Sequence, residues 1–508
     1  MTLSETAGAA VTAFRRHTAG LVPFYLLGAA VPAIARVGTF VGAALLYLYL
    51  EVTGRLAAVR TEIATVDVEP PDPEVDPDAF AEYTAELAAA LEPLATPVVG
   101  GLVVLTILVT ILASVVLSAT VSAGQIGASL GALRDRRAAV DGIAGVRDHW
   151  LTFLGLVILE IVLWLTTAAA IAVVVAVAAF ALTAAGAAPV AALFVALGVL
   201  AWLAVGAVIR AVFAFAPVAA VVDDVGVVAS LSATGGFLRR RPVEALFYYV
   251  VAFVALVGFL GTLSALAVVG AAALVPLVTA FLVWPLLDLL KTALFGRYRG
   301  AIPRPTPIET TIRSQLRGGI ARGWRELVGF VRATPALHAL AVATMVGGFL
   351  GGWVVAGPLV GLTEASIEAR LEGIVPPVFA LELFGNNWTV AFTTAFAGLA
   401  LAVPALVSLA FNGFVFGIVG RLEVDPAMLV AFVTPHGILE IPAIFVAGAL
   451  GTHLGIVYWR TLRGPLGRAE LATELERAFR VVVGLGIVLG AAALIEAFVS
   501  PFYFRPFL

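Results

Sequence analysis

The chain has 508 residues, of which 61% are hydrophobic and 12% are charged; its mean hydropathy is +1.07 and its formal net charge is −3. A soluble core does not require so much apolar surface, so this composition excludes an ordinary soluble protein and predicts an all-α, polytopic integral membrane protein. Because the sequence has no cysteine, disulfides, thiolate metal sites and cysteine nucleophiles are excluded as well.

The apolar stretches predict about eleven transmembrane helices, since one span needs roughly 20 apolar residues. In chain order they cover about 21–50, 97–126, 149–182, 187–217, 243–266, 268–290, 335–356, 387–403, 404–420, 427–459 and 478–499. The two short stretches beside Pro404 are alternatively one kinked element. The pattern also predicts interfacial helices and broken or re-entrant helices.

Basic residues gather in alternate connections between these spans, as the positive-inside rule requires. With a cytoplasmic amino terminus, 23 of the 30 basic residues fall on the cytoplasmic side. We therefore predict a multi-pass plasma-membrane protein with a cytoplasmic amino terminus and an extracellular carboxyl terminus. Lys291 is the only lysine, and this bias towards arginine, with abundant alanine, glycine and valine, is typical of a GC-rich genome such as that of a halophilic archaeon.

Two segments are predicted to lie outside the membrane on the extracellular side. Residues 69–93, "EPPDPEVDPDAFAEYTAELAAALEP", are acidic and predict a solvated loop that ends in a short helix, with a cation or partner site as the alternative. Residues 357–385 contain alternating glutamate and arginine, which predicts a surface helix followed by an amphipathic piece on the outer leaflet.

The predicted spans of the amino-terminal half contain few ionisable residues: Arg36, Glu160, Arg210 and Asp288. Such residues at membrane depth indicate a functional site unless they are paired or reach the interface. Arg210 and Asp288 lie towards the cytoplasmic ends of their helices, so we expect their side chains to extend to the interface. The segment "FAPVAAVVDDVGVVASLSATGGFLRRRP" resembles one in poorly characterised six-span prokaryotic membrane domains, and we expect it to contain a re-entrant or interfacial helix.

The chain divides at a basic, proline-bearing stretch, "RYRGAIPRPTPIETTIRSQLRGG". We predict a six-span membrane domain over residues 1–296, a basic cytoplasmic linker over 297–317 and a five-span membrane domain over 318–508. Directly after the linker, "IARGWRELVGFVRATP" places apolar residues on one helical face and arginines on the other. This pattern predicts an interfacial helix whose basic face meets anionic lipid headgroups.

Four short motifs follow in order in the carboxyl-terminal half: "FGNNWTVAFTTAFAGLAL", "LAFNGFVFGIVG", "TPHGILEIPAIFVAGALGTHLG" and "AAALIEAFVSP". Through them, the sequence from about residue 318 onward resembles the stage II sporulation protein M family of membrane proteins. In endospore-forming bacteria the resemblance implies a protein that holds peptidoglycan-degrading enzymes at the engulfing septum. In organisms that do not form spores, it leaves the role open.

The polar residues of these motifs form a predicted structural or functional cluster of Asn386, Asn387, Asn412, His436, Glu440 and Glu496. We expect the adjacent asparagine pair to cap the outer start of a span, and the other four residues to form hydrogen bonds between helices. His436 and Glu440, four residues apart, share one face of a helix. Pro435 and Pro442 predict a broken helix, with the break near Pro435–Gly437. We favour a hydrogen-bonded clasp over a catalytic site.

Three functions are open at this point. The favoured one is a non-enzymatic membrane scaffold or morphogenetic envelope protein, whose partners are the lipid bilayer and other membrane or envelope proteins, or further copies of the chain. The alternative is a transporter or permease-like component with a polar cavity near His436 and Glu440. The third, an intramembrane hydrolase, would need Glu496 or an asparagine as a further metal ligand, and the zinc-protease pattern H-E-x-x-H is absent. We expect no cofactor, no bound metal and no nucleic-acid partner.

Overall fold

The computed structural model describes residues 2–66, 76–268, 272–304, 306, 308–361, 363–367 and 373–503. The helices are α1 (Leu3–Val52), α2 (Arg55–Ile63), α3 (Pro77–Ala90), α4 (Pro97–Leu133), α5 (Ala138–Ala184), α6 (Ala188–Asp223), α7 (Val227–Arg240), α8 (Pro242–Val268), α9 (Val275–Val278), α10 (Trp284–Tyr298), α11 (Ile312–Ala333), α12 (Pro335–Ala356), α13 (Pro376–Ala397), α14 (Val403–Leu422), α15 (Pro426–Leu462), α16 (Arg468–Phe498) and α17 (Ser500–Tyr503). The all-α fold class is confirmed. Of the two predicted extracellular segments, residues 69–75, 362 and 368–372 lie outside the described residues.

Ten helical segments of the described chain are long and apolar enough to cross a membrane: Leu3–Val52, Pro97–Leu133, Ala138–Ala184, Ala188–Asp223, Pro242–Phe259, Ala272–Tyr298, Pro335–Leu359, Val403–Leu422, Pro426–Leu462 and Arg468–Tyr503. The predicted span at 387–403 is not among them. Its helix, α13, begins earlier, at Pro376, and ends at Ala397. Glu382 and the asparagine pair make this helix more polar than the others, although its second half is buried in the protein.

The predicted break near Pro435–Gly437 is wrong, because α15 runs as one helix through both Pro435 and Pro442. A proline removes one helical hydrogen bond, but an interrupted backbone at membrane depth would leave several groups unpaired, each at a cost of several kcal/mol. The irregular backbone lies elsewhere. The sixth span contains a π-helical turn at Thr279–Val283, and α1 has a non-helical residue at His17.

One continuous hydrophobic core joins the two predicted halves of the chain. It contains Phe24 and Leu26 of α1 together with Phe392 of α13 and Leu489 of α16, all of which are buried. Trp388 of α13 donates a 2.9 Å hydrogen bond to the Val482 carbonyl of α16 within the same region. The halves are therefore packed together in spite of the predicted domain boundary between them.

Glycine pairs let two helices of the carboxyl-terminal region cross at backbone contact. Gly348 and Gly352 of α12 face Gly413 and Gly417 of α14. A Cβ atom added at any of these four positions would collide with a backbone carbonyl oxygen of the opposite helix. Such close approach maximises van der Waals contact, which drives helix association where no hydrophobic effect operates between helices.

The connections predicted to be cytoplasmic meet at one end of the molecule. Arg15 donates a 3.1 Å hydrogen bond to Gln315, and Arg16 forms a 2.9 Å ion pair with Asp135. Arg137, in the loop between α4 and α5, pairs with Glu476 of α16 at 3.0 Å. The amino terminus, the linker, the connection between α4 and α5 and the first part of α16 are thereby tied to one another, while the side of the membrane that they face stays a prediction.

Candidate functional site

Three of the six predicted cluster residues meet at the start of α15 and the end of α16. Single ligand atoms of His436, Glu440 and Glu496 all lie within 4.8 Å of one another. His436 is only 5% exposed, its Nδ1 lies 3.0 Å from the hydroxyl of the fully buried Ser500, and its Nε2 lies 3.8 Å from a Glu496 carboxylate oxygen. The first residue of α17 thus contacts the cluster as well.

The helical hairpin of α15 and α16 explains why these residues meet. His436 lies 26 residues before the end of α15 at Leu462, and Glu496 lies 28 residues after the start of α16 at Arg468. Two antiparallel helices joined by a short turn bring residues at equal distances from that turn to the same level. Glu440 joins them because it lies one helical turn from His436 on the same face.

The three asparagines have other surroundings. Asn386 and Asn387 lie in the middle of α13, whose N-cap residue is Val375, so the predicted capping role is wrong. The helix begins at the preceding proline pair, a favoured first position, instead of at the amides. Asn386 donates a 3.1 Å hydrogen bond to the side chain of Asn387. In place of the predicted bond between helices, Asn412 donates one of 2.8 Å to the Ser408 carbonyl of its own helix. Among the described residues, none of the three bonds to the His436 group.

His453 belongs to a second polar group further along α15. Its Nε2 lies 2.9 Å from Glu474 of α16, and Glu474 is also 3.9 Å from Arg477. Arg477 in turn pairs with Glu326 of α11 at 3.4 Å. This histidine therefore connects α15 to α16 and, through it, to α11, away from His436.

The amino-terminal helices enclose a cavity that the sequence did not reveal. It has a volume of about 710 Å³ and is bordered by residues of α1, α4, α5, α6, α8, α9, the π-helical turn and α10. Its polar lining consists of Tyr25, Ser118, Ser122, Gln125, Glu160, Arg210, Tyr248, Thr279, Asp288 and Lys291. None of the residues of the His436 group belongs to this lining.

Two ion pairs lie on the cavity wall. Asp288 and Lys291, both largely but not fully buried, are 2.8 Å apart, and the hydroxyl of Tyr25 donates a 3.0 Å hydrogen bond to the same carboxylate. Arg210 pairs with Glu160 at 2.7 Å and is largely exposed. A partner three residues away on its own helix neutralises the charge of Asp288, while the expectation that this side chain extends to the interface stays a prediction. That spacing was visible in the sequence and could have revealed the pair.

The comparisons with known proteins agree with the carboxyl-terminal resemblance. Residues 340–501 match the family model described as stage II sporulation protein M. No curated protein and no solved structure matches the chain, and nothing in the comparisons covers the amino-terminal half. The His436 group and the glycine crossing of α12 and α14 both lie inside the matched residues. The carboxyl-terminal region of this membrane protein is therefore a domain of the stage II sporulation protein M family.

Proposed function

We propose that the protein is a non-enzymatic membrane scaffold that holds partner proteins at the plasma membrane. The observation that carries this proposal is the single core shared by α1, α13 and α16, which unites the family domain with the amino-terminal bundle. A scaffold needs a fixed arrangement of membrane helices, and large surfaces on both sides of the membrane give it room to bind partners. The contacts of Arg15 with Gln315 and of Arg137 with Glu476 fix the arrangement of the helices at one end of the molecule.

Helix α11 offers one surface for partner or lipid contact at that end. Its inner face is buried through Leu327 and Phe330 against the rest of the protein, while Trp324 remains 48% exposed. Its exposed arginines are Arg313, Arg317, Arg322, Arg325 and Arg332. A basic helix with exposed apolar residues is suited to the membrane interface, where it meets anionic headgroups or an acidic partner.

Co-purification from native membranes tests the scaffold. We expect a tagged full-length chain to retain a specific protein at a fixed molar ratio after mild crosslinking and detergent extraction. An unrelated tagged membrane protein of similar span number, expressed at the same level, is the control. Recovery of the chain without a partner at a reproducible ratio would contradict the proposal.

A permease-like function is the second candidate, and the cavity of the amino-terminal bundle favours it. The predicted cavity near His436 and Glu440 is replaced in this candidate by the one bordered by Asp288 and Lys291. Buried ion pairs beside a cavity in a membrane bundle are frequent in transport pathways. Proteoliposomes that show solute flux abolished by Lys291→Met, and unchanged by Arg147→Ala on the protein surface, would favour transport over the scaffold.

A further inference from the structure

We propose that His436, Glu440 and Glu496 form a binding site for one divalent transition-metal cation, such as Zn²⁺ or Mn²⁺. The three side chains supply one imidazole nitrogen and two carboxylates, all within 4.8 Å of one another. Metal–ligand bonds of about 2.1 Å place the ligand atoms of a tetrahedral ion about 3.4 Å apart. The His436–Glu496 distance of 3.8 Å is close to that value, and rotation of the Glu440 carboxylate supplies the remaining approach.

The histidine is already oriented as a ligand. Its Nδ1 contacts the Ser500 hydroxyl, whereas its Nε2 is turned towards the carboxylates at a distance too long for a hydrogen bond. When Nδ1 carries the proton and donates it to Ser500, the Nε2 lone pair points into the cluster. A ring nitrogen held by a second residue is the usual arrangement of metal-binding histidines.

A bound cation would compensate the negative charge of the carboxylates at membrane depth. Glu440 accepts no hydrogen bond and forms no ion pair with any described residue, although it lies inside a transmembrane helix. A carboxylate in such surroundings is costly unless a positive charge compensates it. A divalent cation bound by both carboxylates removes this cost and holds α15, α16 and α17 together at one point.

The ligand set determines the class of ion. One nitrogen and two oxygens suit zinc, manganese or ferrous iron, whereas calcium and magnesium prefer six or more oxygen ligands. With no cysteine in the chain, a thiolate zinc site is excluded, and the three ligands include no sulfur atom that would favour copper(I). The site extends the proposed scaffold function without depending on it, since metal binding is measured on the isolated protein and partner binding is not.

Metal titration of the purified full-length protein tests the site. Tag-free protein in detergent, stripped with a chelator, is titrated with ZnCl₂ by calorimetry and with CoCl₂ by absorption spectroscopy. We expect one ion per chain and the absorption bands of a nitrogen- and oxygen-coordinated cobalt. His436→Gln and Glu440→Gln should each weaken binding by about 100-fold or more, and Ser500→Ala by about 10-fold, because it orients the ligand from outside.

His453→Gln is the matched control, since it removes a histidine from the same helix that also lies beside a glutamate. It should leave the affinity for zinc unchanged. Equal losses in His453→Gln and His436→Gln would identify an adventitious ion only and overturn the proposal. So would a wild-type protein without stoichiometric binding. The isosteric Glu440→Gln and the wild-type cobalt spectrum keep the test valid if a histidine variant fails to fold, which size-exclusion chromatography would show.

Discussion

The carboxyl-terminal and amino-terminal regions place polar residues inside the membrane in different ways. In α16 and α17 half of the residues in the most apolar stretch are buried within the protein, whereas in α5 none are. The carboxyl-terminal helices pack tightly, and their polar group is enclosed by α15, α16 and α17. Most amino-terminal helices bury a smaller share of their most apolar stretches, and together they leave a cavity with two ion pairs on its wall. The enclosed polar group favours a structural role for the first region, and the cavity favours ligand access in the second.

The largest effect should come from the buried ion pair of the cavity. Asp288→Asn leaves the Lys291 ammonium buried without its partner, which we expect to lower the free energy of unfolding by about 3–5 kcal/mol. Glu244→Gln, which affects the exposed pair with Arg241 at the predicted cytoplasmic start of α8, should cost about 0–1 kcal/mol. Unfolding in detergent with increasing sodium dodecyl sulfate measures both.

The double variant Asp288→Leu/Lys291→Met sharpens this result. Replacing a buried pair by apolar residues of similar volume is often neutral, so we expect it to recover most of the stability lost in Asp288→Asn. If the double variant instead remains as unstable as Asp288→Asn, the pair stabilises the protein through contacts other than the attraction between its charges. Equal effects of Asp288→Asn and Glu244→Gln would contradict the difference in burial on which the comparison depends.

Substitution at the glycine crossing of α12 and α14 should produce the next-largest loss of stability. Gly352→Ala places a Cβ atom against the Phe414 carbonyl of α14, and we expect a loss of about 1–3 kcal/mol from the strain of moving two backbones apart. Gly347 of the same helix has open space around it, so Gly347→Ala should be neutral or stabilising by up to about 1 kcal/mol. Thermal unfolding of the two purified variants measures both effects. A similar loss of stability in both would show that the close approach of α12 and α14 does not determine the cost of Gly352→Ala.

The junction between the two halves should have a moderate effect. Arg137 binds Glu476, Thr473 and the Ala469 carbonyl of α16, so Arg137→Ala should destabilise the protein by about 1–2 kcal/mol. Arg147→Ala is the control, because Arg147 is well exposed and 3.9 Å from Asp148. We also expect the wild-type protein to unfold in a single transition. Two separate transitions would show that the halves are independent domains.

The smallest effect is a pH dependence at the same end of the molecule. Hydrogen bonds from His17 and then Arg16 lower the pKa of Asp135, which lies in the loop between α4 and α5. A lowered pKa contributes stability that is present above the unfolded pKa of about 4 and is lost as the pH falls through the folded value. Melting curves between pH 3 and 6 should show this loss in the wild type and a smaller one in Asp135→Asn.

Local sequence rules predicted a large part of the fold. Apolar length identified the spans, because a membrane helix must satisfy its backbone internally and cover the bilayer thickness. The spacing of His436 and Glu440 predicted a shared helical face. The meeting with Glu496 was also accessible, since the lengths of α15 and α16 on either side of their turn determine it.

Other features depended on information that local rules lack. The asparagine pair resembled a cap, but the preceding prolines at 376 and 377 determine where α13 begins. Pro435 and Pro442 resembled a break, but the cost of an open backbone in lipid outweighs the preference of a single residue. The cavity arises from lining residues between Tyr25 and Lys291 on several helices, and no local sequence pattern predicts where those helices meet.

The hairpin of α15 and α16 has a consequence for how the sequence can change. The parts of α15 and α16 between the turn and the His436 group, here called arms, must keep a constant number of residues. One inserted residue moves everything beyond it by about 1.5 Å and rotates it by about 100°. An insertion within either arm would therefore turn a ligand away from its partners, while one in the turn at 463–467 would leave both arms intact. Relatives of this domain should accordingly vary freely in that turn and in the identity of lipid-facing residues, while the number of residues in each arm stays constant.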